Sequence, residues 1–280
     1  MLVLGIEVPP DLRARWPGWF APDVQPFLAA DATVEGAAQP DRPLSPELRD
    51  TFQLYEVPEG LSRVWLSESG FGHLPMSGRV ALLRARRAAE PLLTPTVRSW
   101  PDLGDRIREQ ADGRGFLWWP SVLAGHEERV LAGYIEDGRR SSRHADVEDQ
   151  TWRRAERVLP GARALAGTFP PASGPNCFGA VMAAAGVAGA EAVWMQREPF
   201  ETWSSQTTRA GGRDGEVGTV LVWRSPDGLL QHAAITIGDG WALHKPSQGW
   251  MSPTKVLTVA DVKRSAHAVG RRLHRYTMGR

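Results

Sequence analysis

His232-Ala233-Ala234-Ile235-Thr236-Ile237-Gly238-Asp239-Gly240-Trp241-Ala242-Leu243-His244 is the stretch on which the fold turns. An apolar run opens on a histidine and meets a Gly-Asp-Gly turn. A second, shorter run then closes on another histidine. Short aliphatic runs bounded by glycine-rich turns read as antiparallel strands. The pattern predicts strands over residues 230–237 and 241–244. Upstream, residues 218–224 form a Gly-led apolar strand, and Ser225-Pro226-Asp227-Gly228 is a hairpin turn leading from it into the next strand. Residues 272–276 supply a further strand, while 177–185 and 191–204 carry helical patterns. Helices followed by an antiparallel meander indicate an α+β domain.

Cys177 is the one cysteine in 280 residues. It sits in Ser173-Gly174-Pro175-Asn176-Cys177-Phe178-Gly179, a turn that runs into a helix. Pro175 suits such a start and Asn176 is a capping residue. The free N–H groups and positive dipole end of a helix start favour a thiolate, which is the reactive form of cysteine. His232 opens one strand and His244 ends the next, so antiparallel pairing brings both to the same end of the sheet. A cysteine hydrolase needs this set: Cys177 as nucleophile, His232 as base, His244 as the group that orients the base. Asn176, Trp223, Trp241 and Lys245 are the candidate substrate-binding residues. Lys245-Pro246-Ser247-Gln248-Gly249-Trp250 is a polar, aromatic loop suited to rim a pocket. The plain alternatives are a cysteine that is a small buried hydrophobe, a satisfied core histidine at 232, and tryptophans that simply pack.

Lys and Arg number 33 against 32 Asp and Glu, a net charge of +1. That balance gives no electrostatic footprint for nucleic acid or an anionic membrane. A single cysteine excludes an internal disulfide framework and a cysteine-rich zinc site. His144-Ala145-Asp146 offers two ligand types where a metal needs three or four that converge. Gly70-Phe71-Gly72 is not followed by the Lys-Ser or Lys-Thr of a phosphate loop. The expectation is therefore no metal and no cofactor, with a peptide or small amide as the partner of the site. No apolar run reaches about eighteen residues, and Met1–Glu7 lacks the basic flank of a signal peptide. The expected compartment is cytoplasmic.

The remainder is less patterned. Residues 1–50 are rich in Pro, Ala and Asp and read as an irregular, partly ordered arm. A strand is expected over 61–66. Residues 78–85 fit strand or helix. A short helix follows Pro101 over 102–110, and an apolar strand over 115–119 is stopped by Pro120. Helices are expected over 122–135 and 145–158. Gly167-Thr168-Phe169-Pro170-Pro171-Ala172-Ser173-Gly174-Pro175 is the strongest linker signal. The chain then divides into residues 1–160, an α/β or α+β module of unknown role, and residues 170–280, the thiol hydrolase domain.

Three blocks carry a resemblance. Asn176-Cys177-Phe178-Gly179, then Gly218-Thr219-Val220-Leu221-Val222-Trp223, then His232 through His244, resemble in order and spacing the motif blocks of NlpC-type papain-like cysteine peptidases. The likeness covers about residues 170–276. It implies a papain-like α+β domain with the cysteine helix packed on an antiparallel sheet. It also implies a Cys177-His232-His244 triad and cleavage of amide bonds, often γ-D-glutamyl links in cell-wall peptides. The chain departs from the family where Phe178 stands for a usual Ser and Thr219 for a usual Asp. It also has no tyrosine between Tyr134 and Tyr276. These departures leave the triad intact and broaden the expected substrate to a peptide or small amide. The same site could pass its acyl group to an amine or alcohol, as an acyltransferase or transglutaminase-like enzyme does. A non-catalytic binding or immunity module is the third reading.

Overall fold

Gly138, at φ 62°, ends a helix and marks the boundary between two units in this computed structural model. The structure describes all residues except 31, 32, 35, 105, 106, 108–113 and 280. One unit comprises residues 9–137 with Met1, and the other residues 138–280 with residues 2–8. The chain is mixed α+β, and every strand pair among the described residues is antiparallel. No helix among them is long and apolar enough to cross a membrane.

Strands β1 (Leu2–Val3) and β2 (Ile6–Glu7) form a small hairpin of the second unit. The first unit begins with α1 (Pro10–Phe20), which buries Leu12, Trp16 and Phe20 at helical spacing. Strand β3 (Val24–Ala29), helix α2 (Pro46–Phe52) and strand β4 (Ser62–Ser67) follow, with β3 and β4 paired from Val24↔Ser67 to Ala29↔Ser62. Residues 1–50 are thus not an irregular arm. Pro9, Pro10 and Pro46 sit at helix starts, where no backbone N–H is needed, while Pro17 lies inside α1 and Pro26 within β3. Helices α3 (Glu68–His73) and α4 (Met76–Ala89) come next, so the ambiguous 78–85 stretch is helical. Its interleaved arginines hide the period, because Arg86 is itself buried.

Residues 115–119 were expected to form a strand. They run extended with one isolated bridge, Gly115 to Thr96, and the Trp118 carbonyl accepts instead from Gln25 Nε2 at 2.6 Å. Residues 122–135 divide into α5 (Pro120–Leu123) and α6 (Glu127–Glu136), broken at Gly125 with φ 83°. The helix anticipated over 102–110 lies largely outside the described residues, and Pro101–Leu103 is a single 3-10 turn. Phe27, Phe71 and Trp119 meet in the core with ring centroids 6.0–6.5 Å apart.

The second unit holds α7 (Asp149–Glu156), α8 (Ala162–Leu165), α9 (Cys177–Ala184), α10 (Arg197–Thr207) and β5 (Thr208–Ala210). It continues with β6 (Val217–Arg224), β7 (Leu230–Gly238), β8 (Trp241–His244), β9 (Lys255–Thr258), α11 (Val259–Ser265) and β10 (Arg272–Met278). The sheet order is β5-β10-β6-β7-β8-β9. One face, with Val220, Val222, Ala233, Ile235 and Leu243, packs in a core with α9 and α7. The opposite face, with Leu221, Trp223, Ala234 and Ala242, packs against Val259 and Val262 of α11.

The boundary expected at residues 160–170 is therefore displaced. Trp152 and Ala155 of α7 share a core with Cys177, Phe178 and Val181 of α9, which ties them to the second unit. The Pro/Gly stretch is bound along its length rather than free. Gly167 N–H donates to Thr254 O at 2.9 Å, Gly174 N–H to Gln248 O at 2.9 Å, and Trp250 N–H to Ser173 Oγ at 3.0 Å.

Candidate functional site

Asn176 starts α9. Its Oδ1 accepts the Gly179 N–H at 3.1 Å, and its Nδ2 donates to Met195 O at 2.8 Å. Both ends of the amide are thereby committed, one to the helix cap and one to the following loop. Gly179 is required here because a Cβ would lie 2.3 Å from Ala190 O. Cys177 takes the first helical position and is 8% exposed. It lines a cavity of about 760 Å³ together with Phe178, Trp194, Arg197, His232 and Gln248.

The hairpin brings the imidazoles together as the sequence predicted. Ile235 faces Leu243 across β7 and β8, so His232 and His244 are diagonal neighbours on one face. Their Nε2 atoms are 2.9 Å apart, with ring planes at 83°. An N–H···N bond needs one donor and one acceptor, so the pair cannot bind two extra protons and keep this contact. Trp223, opposite His232 in the register, packs on its ring at 5.5 Å. The Nδ1 of His244 is buried without a hydrogen-bond partner. With both Nε2 atoms engaged, Nδ1 is the nitrogen of His232 left to exchange a proton.

Burial dominates the electrostatics. It lowers His232 to about 4, with Arg271 adding to the effect. Burial also holds His244 well below the ordinary imidazole value, helped by His232, Lys255 and Lys245. Both rings are neutral at pH 7. Burial pushes the Cys177 thiol up to about 11. The Ala233 N–H, the first N–H groups of α9 and the charge of Lys245 all act in the lowering direction. The expectation that the helix start would leave a depressed thiol is thus corrected: desolvation is the larger effect.

Cys177 and the imidazoles approach from different sides. Ala233 packs with α9, while strand alternation places His232 on the face shared by Ala234 and Trp223. They meet at the end of the sheet, where both line the cavity. Among the described residues no hydrogen bond joins the sulfur to either ring. Asn176 also lines this cavity, whereas Trp223, Trp241 and Lys245 lie away from its wall. Trp241 packs under Arg143, whose Cζ is 4.7 Å from the ring centroid. Lys245 is 2% exposed and donates from Nζ to Ser252 O at 2.5 Å, so its influence on the thiol is electrostatic. The loop after His244 does rim the cavity, through Pro246, Ser247 and Gln248. Trp194, 46% exposed and also lining the cavity, escaped the sequence reading because it lay inside a predicted helix. Helix α10 in fact starts at Arg197 and leaves residues 194–196 as a wall.

Comparison of the chain with protein-family models, curated proteins and solved structures finds no match.

Proposed function

We propose that the second unit is a papain-like cysteine hydrolase of the NlpC type that cleaves an amide bond in a peptide or small amide. The observation that carries this reading is the 2.9 Å His232–His244 contact beside a cavity that Cys177 lines. Oriented imidazole next to a thiol is the arrangement general-base activation requires. In this scheme the Cys177 S–H proton moves to His232 Nδ1 as Sγ bonds to the amide carbon. The C–N bond then breaks, and the departing amine takes the proton from His232. Water attacks the thioester, giving its proton to His232, and the C–S bond breaks to release the acid and restore the thiol. His244 fixes the His232 tautomer throughout. A neutral thiol and a neutral imidazole are the resting state, and apo contacts of this kind tighten when substrate excludes water. The near-neutral charge fits a peptide substrate rather than nucleic acid or a lipid surface, and a lone reduced thiol fits the cytoplasm.

The test is mass spectrometry of the Cys177-bearing peptide after incubation with a library of peptides and muropeptides. An acyl adduct on Cys177, lost in His232→Ala, is the expected result. An adduct passed to added amines faster than to water would identify an acyltransferase instead. A second reading is favoured by the burial of the thiol: a non-catalytic binding module on the same fold. It predicts that no adduct forms with any member of the library.

A further inference from the structure

The first unit buries a cation that no carboxylate among the described residues neutralises. Arg86 of α4 is 6% exposed. Its guanidinium lies between two phenylalanine rings, with Cζ 4.1 Å from the Phe27 centroid and 4.3 Å from that of Phe52. Nη1 donates to Gln25 Oε1 at 3.1 Å and Nη2 donates to Pro26 O. Gln25 is held in that orientation by its own bond to Trp118 O at 2.6 Å. These are two neutral acceptors for a group with five N–H donors. No carboxylate among the described residues pairs with Arg86. Asp50, the buried acid of α2, has its Oδ1 engaged by Arg49 at 3.4 Å and by the Tyr55 hydroxyl at 2.8 Å, while its Oδ2 is buried without a hydrogen-bond partner.

Among the described residues, Arg86 is also the one charged side chain in the wall of a cavity of about 330 Å³. The rest of that wall is apolar, with Phe27, Leu54, Pro58, Leu61 and Leu82 among its residues. A buried charge without a partner is costly, and a bidentate carboxylate is the group that best matches a guanidinium fork. The charge count selects a monoanion. A dianionic phosphate would bring a second charge into an apolar cavity with nothing to neutralise it. The volume, at about 30 Å³ per water-sized atom, admits a body of about ten non-hydrogen atoms.

We propose that this cavity binds a small amphipathic monocarboxylate, its carboxylate paired with Arg86 between Phe27 and Phe52 and its aliphatic body in the apolar pocket. Burial lowers the Arg86 pKa to about 9, which still leaves it charged at neutral pH. The site lies wholly within the first unit and does not depend on the hydrolase reading.

The full chain is titrated with sodium octanoate by calorimetry, with octanamide as the neutral isostere and inorganic phosphate as an anion without a tail. Saturable octanoate binding is expected, with octanamide and phosphate at least about tenfold weaker. Arg86→Met keeps an unbranched apolar stem and removes the guanidinium, and octanoate affinity should fall about tenfold to a hundredfold. Ala89→Phe, at an exposed position on the cavity wall, should block binding without touching the cation. Equal affinity for octanoate and octanamide would overturn the proposal, as would undiminished binding in Ala89→Phe or no saturable binding at millimolar octanoate. Phosphate binding as tightly as octanoate would show an anion site with no use for the pocket, and would also overturn it.

Discussion

Two buried polar centres meet the cost of dehydration in opposite ways. Arg86 keeps its charge, with Phe27, Phe52, Gln25 and the Pro26 carbonyl arranged around it. His232 and His244 give up theirs: both are pushed down by burial and share one Nε2···Nε2 contact. A guanidinium cannot release its proton at neutral pH, so the fold must solvate it from within. An imidazole can, so the fold needs only to hold it neutral. The first centre is suited to hold an anion and the second to move a proton.

The sharpest way to break this contrast is at the sulfur. Cys177→Ala should reduce turnover of a substrate found by adduct trapping by about a thousandfold or more. It should cost only about 1 kcal/mol of stability, since one sulfur atom leaves the core. A large fall in Tm with no substrate turned over by the wild type would make Cys177 a packing residue. The next effect is on the base. His232→Ala should slow acylation by a factor of about 10² to 10⁴, read from single-turnover adduct formation. An unchanged rate would remove His232 from the reaction.

The third effect separates the two centres by pH. His232 has a folded pKa of about 4 against an ordinary 6.5, so the unfolded chain binds the extra proton between those values. The stability from keeping it neutral is complete above pH 6.5 and is lost as pH falls toward 4. It amounts to ~3 kcal/mol for this one group. Denaturant midpoints measured from pH 7 to pH 4 should fall accordingly, and His232→Gln should flatten the curve. Arg86 stays protonated in both states across this window and should add no slope, so Arg86→Met should leave the shape of the curve intact. The smallest effect concerns the orienting ring. His244→Asn should retain about tenfold more activity than His244→Ala, because an amide oxygen can still accept from His232 Nε2. Equal losses would show that His244 only fills space.

The meander was readable because its information is local. Ser225-Pro226-Asp227-Gly228 and Gly238-Asp239-Gly240 fix where strands reverse, and Asp239 takes a φ of 52° in the second turn. Strand β9 and helix α11 were not read, since a four-residue strand such as Lys255–Thr258 carries too few alternations to show a period. The first unit was harder, because buried Arg86 and Asp50 break the polar-out rule on which periodicity depends. Trp194 was missed for a similar reason: an exposed aromatic on a cavity wall looks like the apolar stripe of a helix.

The sequence alone determined that two histidines twelve residues apart would lie at one end of an antiparallel pair, while the bulge between Thr236 and Gly238 decided that they share a face and meet. It also determined that Cys177 would begin a helix, because Asn176 and Pro175 encode that start. Only the tertiary structure decided that the thiol would be raised rather than depressed, and that it would reach the cavity from the face opposite the imidazoles. Dehydration and the choice of sheet face depend on which distant segments close over a residue, and no short stretch of chain contains that information.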